Sequence, residues 1–336
     1  MGKNTSATSS MRAVREKVAV GGDIVRRVPL RPTQINREAG EAIRNIRRSA
    51  DLQLFGMEQL APDRALRDRL FSIGACLDER LAIISELAKS GQTRPFRQIA
   101  LSEGKRPAPV ENRCLRIGVY PLAANPLHWG HILVGLAAIA SMKLDKVVFI
   151  IAGADSRKPW MLSADARHQL GRSVIERFHP LFAYSPLALG TDLDGETNFG
   201  RLLSHNPCQR MEAFYVAGAD HCRRATAQGQ PDTIQKLERV VEVEKKAGNT
   251  LHTVSAVFVD RAGEEGRQRE VATFLKMQFL APIPFSFSST ATRRALRKEM
   301  FSEALVSLPY SCLLEIQEGA LYAGNDEPFE RLESPA

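Results

Sequence analysis

The stretch "CLRIGVYPLAANPLHWGH", residues 114–131, decides the fold. It opens with an apolar run with few polar interruptions, which is typical of a strand covered on both faces. A proline-containing turn follows, and His128 and His131 stand where the next helix begins. A strand that feeds a helix in this way is the unit of a parallel α/β sheet. Ligands bind such sheets at the carboxyl ends of the strands, which is where the two histidines lie.

The same alternation of short β-rich runs and helical stretches continues toward the C-terminus. Helices are predicted from His131, Ser163 and Asp232 and in a final region, and the further strands are "KVVFIIA", "LFAYS", "EAFYVAG" and "HTVSAVFVD". We therefore predict a Rossmann-like, doubly wound parallel sheet over residues 113–324, followed by a tail over residues 325–336.

An N-terminal α-helical extension is predicted before this sheet. Residues 62–90 place apolar side chains at steps of three and four, which is the spacing of one helix face. The members of this face are Leu66, Leu70, Ile73, Leu77, Leu81, Ile84 and Leu87. With a less regular helical stretch over residues 37–60, they predict a hairpin that packs on itself, on the main domain or on a second copy. Residues 37–112 are thus interpreted as helical extension and linker, the linker beginning near Gly91.

The positive charge of the chain is concentrated at its start. The 336 residues carry a net charge of +8, and residues 1–50 hold eleven Lys and Arg against four acidic residues. Residues 1–36 are interpreted as a basic, solvated leader or a docking arm for an anionic partner. The nearly neutral remainder argues against a nucleic-acid-binding protein. Because few residues in the first 50 are apolar, we expect their deletion to leave the fold intact.

Composition also limits the class of protein. No apolar run approaches the roughly 18–20 residues of a membrane span, so a cytoplasmic protein without a membrane span is expected. The five cysteines are scattered and never form C-x-x-C, which predicts reduced thiols with neither a disulfide framework nor a zinc site. They are Cys76, Cys114, Cys208, Cys222 and Cys312.

The histidine pair admits three chemical interpretations: a metal site, an acid/base pair, or donors to a phosphate. A metal is disfavoured because the spacing lacks the glutamate partner of H-E-x-x-H and offers no third ligand nearby. A phosphate suits the start of a helix, where unpaired N–H groups point outward. The alternative is that the rings only cap the helix.

A second anion site is indicated by "FSFSSTATRRALRK", residues 285–298. It places the hydroxyls of Ser288, Ser289 and Thr290 at a helix start, with Arg293 one turn later. Hydroxyls, free backbone N–H groups and guanidinium groups together make a cradle suited to a triphosphate. The alternative is an ordinary Ser/Thr N-cap on a basic surface helix.

These motifs resemble those of the H-x-G-H nucleotidyltransferases, and among them the nicotinamide/nicotinate mononucleotide adenylyltransferases. "RIGVYPLAANPLHWGH" is similar to the family's strand, loop and H-x-G-H signature, and "FSSTATR" to its I-S-S-T-x-x-R motif. "RKPWMLSADARHQL" matches the Lys-Pro loop and helix at Lys158 and Arg167, and "VAGADH" matches a G-x-D at Asp220. The C-terminal "LPYSCLLEIQEGALY" is also similar to the bacterial enzymes, so the resemblance covers about residues 114–324.

The resemblance implies transfer of an adenylyl group from ATP to nicotinate or nicotinamide mononucleotide, with release of pyrophosphate, in NAD biosynthesis. It implies Mg²⁺ on the ATP phosphates and no metal ligated by the protein alone. The site residues it implies fall into three groups. The catalytic group is His128, His131 and Arg293; the ATP group is Ser288, Ser289, Thr290, Asp220 and Gly130; the acceptor group is Asn125, Lys158 and Trp160.

One segment departs from the family. Where the family has glycine-containing Gly-Gly-Thr-Phe or Gly-Ser-Phe, this chain has Pro121, Leu122, Ala123 and Ala124. Two further hypotheses therefore stay open: a nucleotidyltransferase of the same fold with another phosphorylated acceptor, and a nucleotide-binding regulatory protein that has lost catalysis. The partners expected are ATP and a phosphorylated small molecule, with a homo-oligomer through the helical extension as a further hypothesis. The choice between nicotinate and nicotinamide is left open.

Overall fold

A computed structural model of the chain describes residues 32–61, 63–102, 113–154, 158, 161–260, 271–298, 304 and 306–322. Residues 1–31 of the predicted leader (residues 1–36) and the predicted tail over residues 325–336 lie outside the described residues, whereas residues 32–36, also assigned to the leader from the sequence, are helical.

A six-stranded sheet forms the centre of the protein, and every strand pairing in it is parallel. The strands are β1 Leu115–Leu122, β2 Lys146–Ile151, β3 Phe182–Ser185, β4 Met211–Gly218, β5 His252–Val259 and β6 Lys276–Leu280. Their order is β3-β2-β1-β4-β5-β6, so the direction of winding reverses between β1 and β4. This order is that of a doubly wound Rossmann sheet, which confirms the predicted fold.

Helices cover both faces of the sheet. They are α3 Trp129–Met142, α4 Ala164–Glu176, α5 Gly195–Ser204, α6 Thr233–Lys246, α7 Ser289–Arg297 and α8 Tyr310–Glu318. In β2, Phe149 belongs to one hydrophobic cluster, and its neighbours Val148 and Ile150 belong to the other. Because successive side chains of a strand point to opposite faces, a strand buried on both faces reads as the continuous apolar run seen in the sequence.

The N-terminal extension consists of α1 Pro32–Leu60 and α2 Arg64–Lys89, with Asp63 capping α2 by accepting from the Leu66 N–H. Both helices contribute to the same hydrophobic cluster as α3 and α8. The Gln53 side chain accepts a hydrogen bond of 2.7 Å from the Ser311 N–H at the start of α8. Two of the three packing arrangements considered from the sequence are observed: the helices pack on the main domain and on each other, with Arg47 donating to Asp78 at 2.7 Å.

The start of α1 corrects one expectation from the sequence. Side chains of α1 on its apolar face, among them Ala39, Ile43, Ile46 and Ala50, are buried in the cluster shared with the main domain. This burial contradicts the premise that few of the first 50 residues belong to the core, and deletion of residues 1–50 is now expected to destabilise the fold. A low average hydrophobicity hid a narrow apolar face, because the charged residues of α1 occupy the rest of the helix surface.

The segment interpreted as a linker is bound to the main domain over its described part. The Arg94 N–H donates to Asp145 at 2.6 Å, the Ala100 N–H donates to Asn206 at 2.9 Å, and Leu101 accepts from the Ser185 hydroxyl at 2.8 Å. Residues 93–102 therefore run along the sheet as an anchored connector.

Helices long and apolar enough to cross a membrane are not found among the described residues.

Candidate active site

A cleft of about 710 Å³ opens at the carboxyl ends of β1, β4 and β5. It lies at the reversal between β1 and β4, where helices on either side of the sheet diverge and leave a crevice. Its walls include seven residues predicted from the sequence to form the site. These are His128, Gly130, His131, Asp220, Ser288, Ser289 and Thr290.

The two histidines stack at the start of α3. Their ring centroids are 3.8 Å apart and their planes differ by 20°. Nδ1 of His131 accepts a hydrogen bond of 3.2 Å from the His128 N–H. A neutral imidazole carries its proton on the nitrogen that does not accept, so this bond places the proton of His131 on Nε2. His131, which lines the cleft, is thereby a hydrogen-bond donor at Nε2.

Burial keeps both rings uncharged. It lowers the pKa of His131 from 6.5 to about 4. Burial, and secondarily the neighbouring His131, lowers the pKa of His128 well below its ordinary value. Nδ1 of His128 also has no hydrogen-bond partner among the described residues. A doubly protonated ring would bury a further unpaired N–H, so the neutral form is preferred for the same physical reason.

The glycine between the histidines is required by the stacked rings. A Cβ on Gly130 would lie 2.9 Å from two ring atoms of His128 and 3.0 Å from Cβ of Phe287. The ring of His128 also stacks on Phe287, at 5.8 Å between centroids. His128 thus sits between His131 and Phe287 with its edge over Gly130, and any other residue at position 130 would displace it.

The second motif lies beside the histidine pair at the start of α7, where Ser289 donates to the Pro126 carbonyl at 3.3 Å. The Ser288 hydroxyl caps the helix by accepting from the Ala291 N–H at 3.3 Å. For Ser288, the N-cap predicted as the alternative to an anion site is therefore observed. The Ser289 and Thr290 N–H groups have no acceptor within the helix, because the first N–H groups of any helix lack one. The starts of α3 and α7 both border this cleft, and two positive helix ends at one cleft favour an anion there.

Arg293 does not line the cleft. Its side chain is buried and donates to the Asn125 carbonyl at 2.8 Å and to the Thr290 hydroxyl at 3.2 Å. Asn125 is also buried, and its Oδ1 accepts from the Tyr322 hydroxyl at 2.9 Å and from the Leu162 N–H at 3.4 Å. Both residues lie behind the wall of the cleft, so direct ligand contacts for them stay predictions.

The remaining predicted residues lie elsewhere. Asp220 is at the cleft beside His221, with 4.0 Å between the carboxylate and the imidazole. Lys158 is exposed and does not line the cleft, and Trp160 lies outside the described residues. Arg167, which matched the family motif, is buried and donates to the Ala123 carbonyl at 2.7 Å and the Ala152 carbonyl at 2.9 Å. It thus ties together the loops that follow β1 and β2.

The cleft contains residues that sequence reasoning missed. Asp260 directly follows β5, Asp220 comes two residues after the end of β4, and both line the cleft. A charged residue directly after a buried strand was a usable signal for Asp260. Phe285 and Phe287 precede the serine motif, and Tyr215 lies inside β4, where its hydroxyl donates to Glu196 at 2.8 Å. Nothing in the local pattern distinguished these aromatic residues from core residues.

The loop that departs from the family forms part of the cleft. Pro121, Leu122 and Ala123 line it, and Ala124 is buried with a φ of +48°. That left-handed conformation is unfavourable for a residue with a Cβ and is usually assigned to glycine. At Ala124 the backbone therefore has the conformation typical of glycine, although every residue of this loop carries a side chain.

No protein-family model matches the chain. Among curated proteins, the "Probable nicotinate-nucleotide adenylyltransferase" of Thermoanaerobacter sp. (strain X514) is 21% identical over 193 residues, which cover 51% of this chain and 89% of the relative. The chain is thus similar, over about half of its length, to proteins named nicotinate-nucleotide adenylyltransferases.

Further relatives with the same name match shorter segments. The protein of Citrifermentans bemidjiense is 26% identical over 159 residues, 45% of this chain and 70% of the relative. That of Clostridium perfringens (strain SM101 / Type A) is 30% identical over 109 residues, 31% of this chain, and the match spans about half (52%) of that relative. Among solved structures, the Plasmodium falciparum nicotinic acid mononucleotide adenylyltransferase complexed with NaAD has a TM-score of 0.44 at 15% identity, covering 62% of this chain and 97% of that one.

Proposed function

We propose that the protein transfers the adenylyl group of ATP to nicotinate mononucleotide, releases pyrophosphate and forms the dinucleotide used in NAD biosynthesis. The observation that carries this proposal is the cleft at the strand reversal, which the neutral histidine pair and the start of α7 both line. The reaction is inferred from the similarity to proteins named nicotinate-nucleotide adenylyltransferases. In it, a phosphate oxygen of the acceptor bonds to the α-phosphorus of ATP, and the bond between that phosphorus and the oxygen bridging to the β-phosphate breaks.

The residues of the cleft would act by positioning and by stabilising charge. His131, neutral and protonated at Nε2, would donate to a phosphate oxygen whose negative charge increases in the transition state. Ser289 and Thr290 would donate through their backbone N–H groups to the β- and γ-phosphates. No residue needs to become a covalent nucleophile, because the acceptor brings its own.

Mg²⁺ would enter on the triphosphate as part of the substrate. The described residues contain no group of three or more His, Cys, Asp or Glu side chains that could hold a metal ion by themselves. Asp220 and Asp260 line the cleft and offer the oxygen ligands that Mg²⁺ accepts beside phosphate oxygens and water. Such a metal neutralises charge on the leaving pyrophosphate.

The test is pyrophosphate release by the full-length protein with ATP and Mg²⁺, with nicotinate mononucleotide in one reaction and nicotinamide mononucleotide in another. We expect release in the first reaction, and the second ranks the two acceptors. His131→Ala in the same preparation is the control for a contaminating activity. Absence of release with nicotinate mononucleotide would contradict the proposal, whatever the second reaction shows.

A different phosphorylated acceptor is a second candidate function, favoured by the Pro121–Ala123 segment of the cleft wall. Larger side chains there leave less room for an acceptor whose ring lies against backbone. A panel of phosphorylated acceptors distinguishes the two candidates. Turnover with a panel member but with neither mononucleotide would establish the second. ATP binding without turnover on any acceptor would favour the regulatory protein instead.

We also propose a homo-oligomer through the helical extension. Leu52 and Phe55 of α1 and Phe71 of α2 are exposed, by 67%, 58% and 80%. Apolar side chains this exposed on neighbouring helices are typical of a face that another chain covers. Light scattering on the purified protein tests this, with Phe71→Glu expected to shift any dimer to monomer. The cytoplasmic location stays a prediction from the sequence.

A further inference from the structure

The turn that leads into the histidine pair is held by the C-terminal part of the chain. Backbone carbonyls of three consecutive residues, Asn125, Pro126 and Leu127, are each bound by a side chain from beyond β6. Arg293 donates to the first at 2.8 Å, Ser289 to the second at 3.3 Å, and the Cys312 thiol to the third at 3.9 Å. The Tyr322 hydroxyl adds a bond of 2.9 Å to the Asn125 side chain.

This turn needs bonds from outside itself. Ala124 has the unfavourable φ of +48°, and Pro126 has no N–H to donate. The His128 N–H is already committed to His131. A turn with a strained residue and few donors of its own keeps one conformation only if its surroundings hold it.

Tyr322 makes the shorter of the two hydrogen bonds that the Asn125 side-chain oxygen accepts. The other donor to Asn125 Oδ1, the Leu162 N–H, is 3.4 Å away, against 2.9 Å for the tyrosine hydroxyl. Tyr322 is only 2% exposed, and burial raises the pKa of its hydroxyl, which keeps the proton in place for donation. The aromatic ring also packs into the hydrophobic cluster that includes Leu127.

We propose that Tyr322 is a positioning residue, which acts through Asn125 to hold the turn that places His128 and His131 at the cleft. Its kinetic consequence rests on the proposed adenylyl transfer. A residue 197 positions away in the sequence from Asn125 thus contributes to the reaction without lining the cleft. The C-terminal segment is then part of the catalytic unit.

The experiment uses the full-length protein with Tyr322→Phe, which removes the hydroxyl and keeps the ring. We expect kcat for pyrophosphate release to fall about tenfold while KM for ATP changes less than twofold, because misplacement of a donor affects the reaction more than substrate binding. The matched control is Tyr310→Phe, at the start of α8, where the ring packs on Gly56 and the hydroxyl makes no hydrogen bond among the described residues. It is expected to leave kcat unchanged.

A double-mutant cycle with Asn125→Ala tests whether Tyr322 acts through Asn125. If it does, Tyr322→Phe has no further effect on kcat when Asn125 is already alanine. Fold-changes that multiply in the double variant, or a kcat within twofold of wild type for Tyr322→Phe alone, would overturn the proposal.

Hydrogen exchange of the amides of residues 127–131 gives a readout that does not depend on turnover. We expect faster exchange at the His128 amide in Tyr322→Phe and unchanged exchange in Tyr310→Phe. If wild-type protein released no pyrophosphate, the proposed function would fail, while unchanged exchange in Tyr322→Phe would separately overturn the positioning role.

Discussion

Replacement of His131 by alanine removes two interactions at once, and the structure assigns a different consequence to each. The Nε2–H donor toward the cleft is lost, and the His128 N–H loses its acceptor at 3.2 Å. Removing one preorganised donor of this kind typically costs a factor of 10²–10³ in kcat, or about 2.7–4 kcal/mol of transition-state stabilisation. Losing the acceptor of a backbone N–H costs about 1 kcal/mol of stability.

Two conservative variants separate these consequences. Glutamine reaches the position of Nε2 with an N–H donor but gives up the Nδ1 acceptor, whereas asparagine keeps an acceptor near Nδ1 and gives up the distal donor. We therefore expect His131→Gln to retain more turnover than His131→Asn. The order should be reversed for stability, where His131→Asn should unfold nearer to the wild-type temperature.

The assay is single-turnover pyrophosphate release at saturating ATP and acceptor, together with thermal unfolding of each variant. His205→Ala is the control, since His205 caps the end of α5 and does not line the cleft. A decrease below threefold for His131→Ala, or equal turnover for the glutamine and asparagine variants, would refute the donor role.

Further expectations concern the glycine, the acid sensitivity and one helix end. Gly130→Ala should displace the His128 ring and lower kcat about tenfold or more, with little change in KM for ATP; wild-type kinetics would show that the ring position is unimportant. Because the folded-state pKa values of His128 and His131 lie below 6.5, the unfolded state binds more protons in acid, and stability should fall as the pH drops from about 6.5 to about 4. Each ring contributes up to about 1.4 kcal/mol to the free energy of unfolding per pH unit. When this free energy is measured by urea unfolding at several pH values, it should fall less steeply with decreasing pH in His131→Asn than in wild type. An equal dependence on pH would contradict this. Lys143 is exposed at the end of α3 and has a φ of +53°. Lys143→Gly should therefore raise the free energy of unfolding of the protein by roughly 0.5–1 kcal/mol, and a lower unfolding temperature would contradict the strain argument.

Most of the sheet could be predicted because a buried strand is recognisable from its own short apolar sequence. β2, in which every residue is buried, reads as "KVVFII", and the apolar run alone places it inside a parallel sheet. β6, "KMQFL", was not among the strands identified, because an edge strand with one partner exposes polar positions and loses the continuous apolar pattern. α5, "GETNFGRLLS", was missed because its glycines and asparagine read as turn residues.

The candidate site could be predicted as far as its motifs are local. His128 and His131 are three positions apart, and the Ser289 and Thr290 pair opens its own helix, so each could be located from a short stretch. The contacts that join the motifs could not. The hydrogen bond between Tyr322 and Asn125 joins residues 197 positions apart, and the sequence around either residue does not indicate which residue it contacts. For the same reason, the sequence predicted ligand contacts for Asn125 and did not anticipate the tyrosine behind it.

Adenylyl transfer to nicotinate mononucleotide can be observed directly by following the α-phosphorus of ATP into the product. Full-length protein is mixed with Mg²⁺, nicotinate mononucleotide and ATP radiolabelled on the α-phosphorus, and the products are separated. We expect the label to appear in the dinucleotide in an amount equal to that of the unlabelled pyrophosphate. Label that stays in ATP, or appears in free AMP, would contradict it.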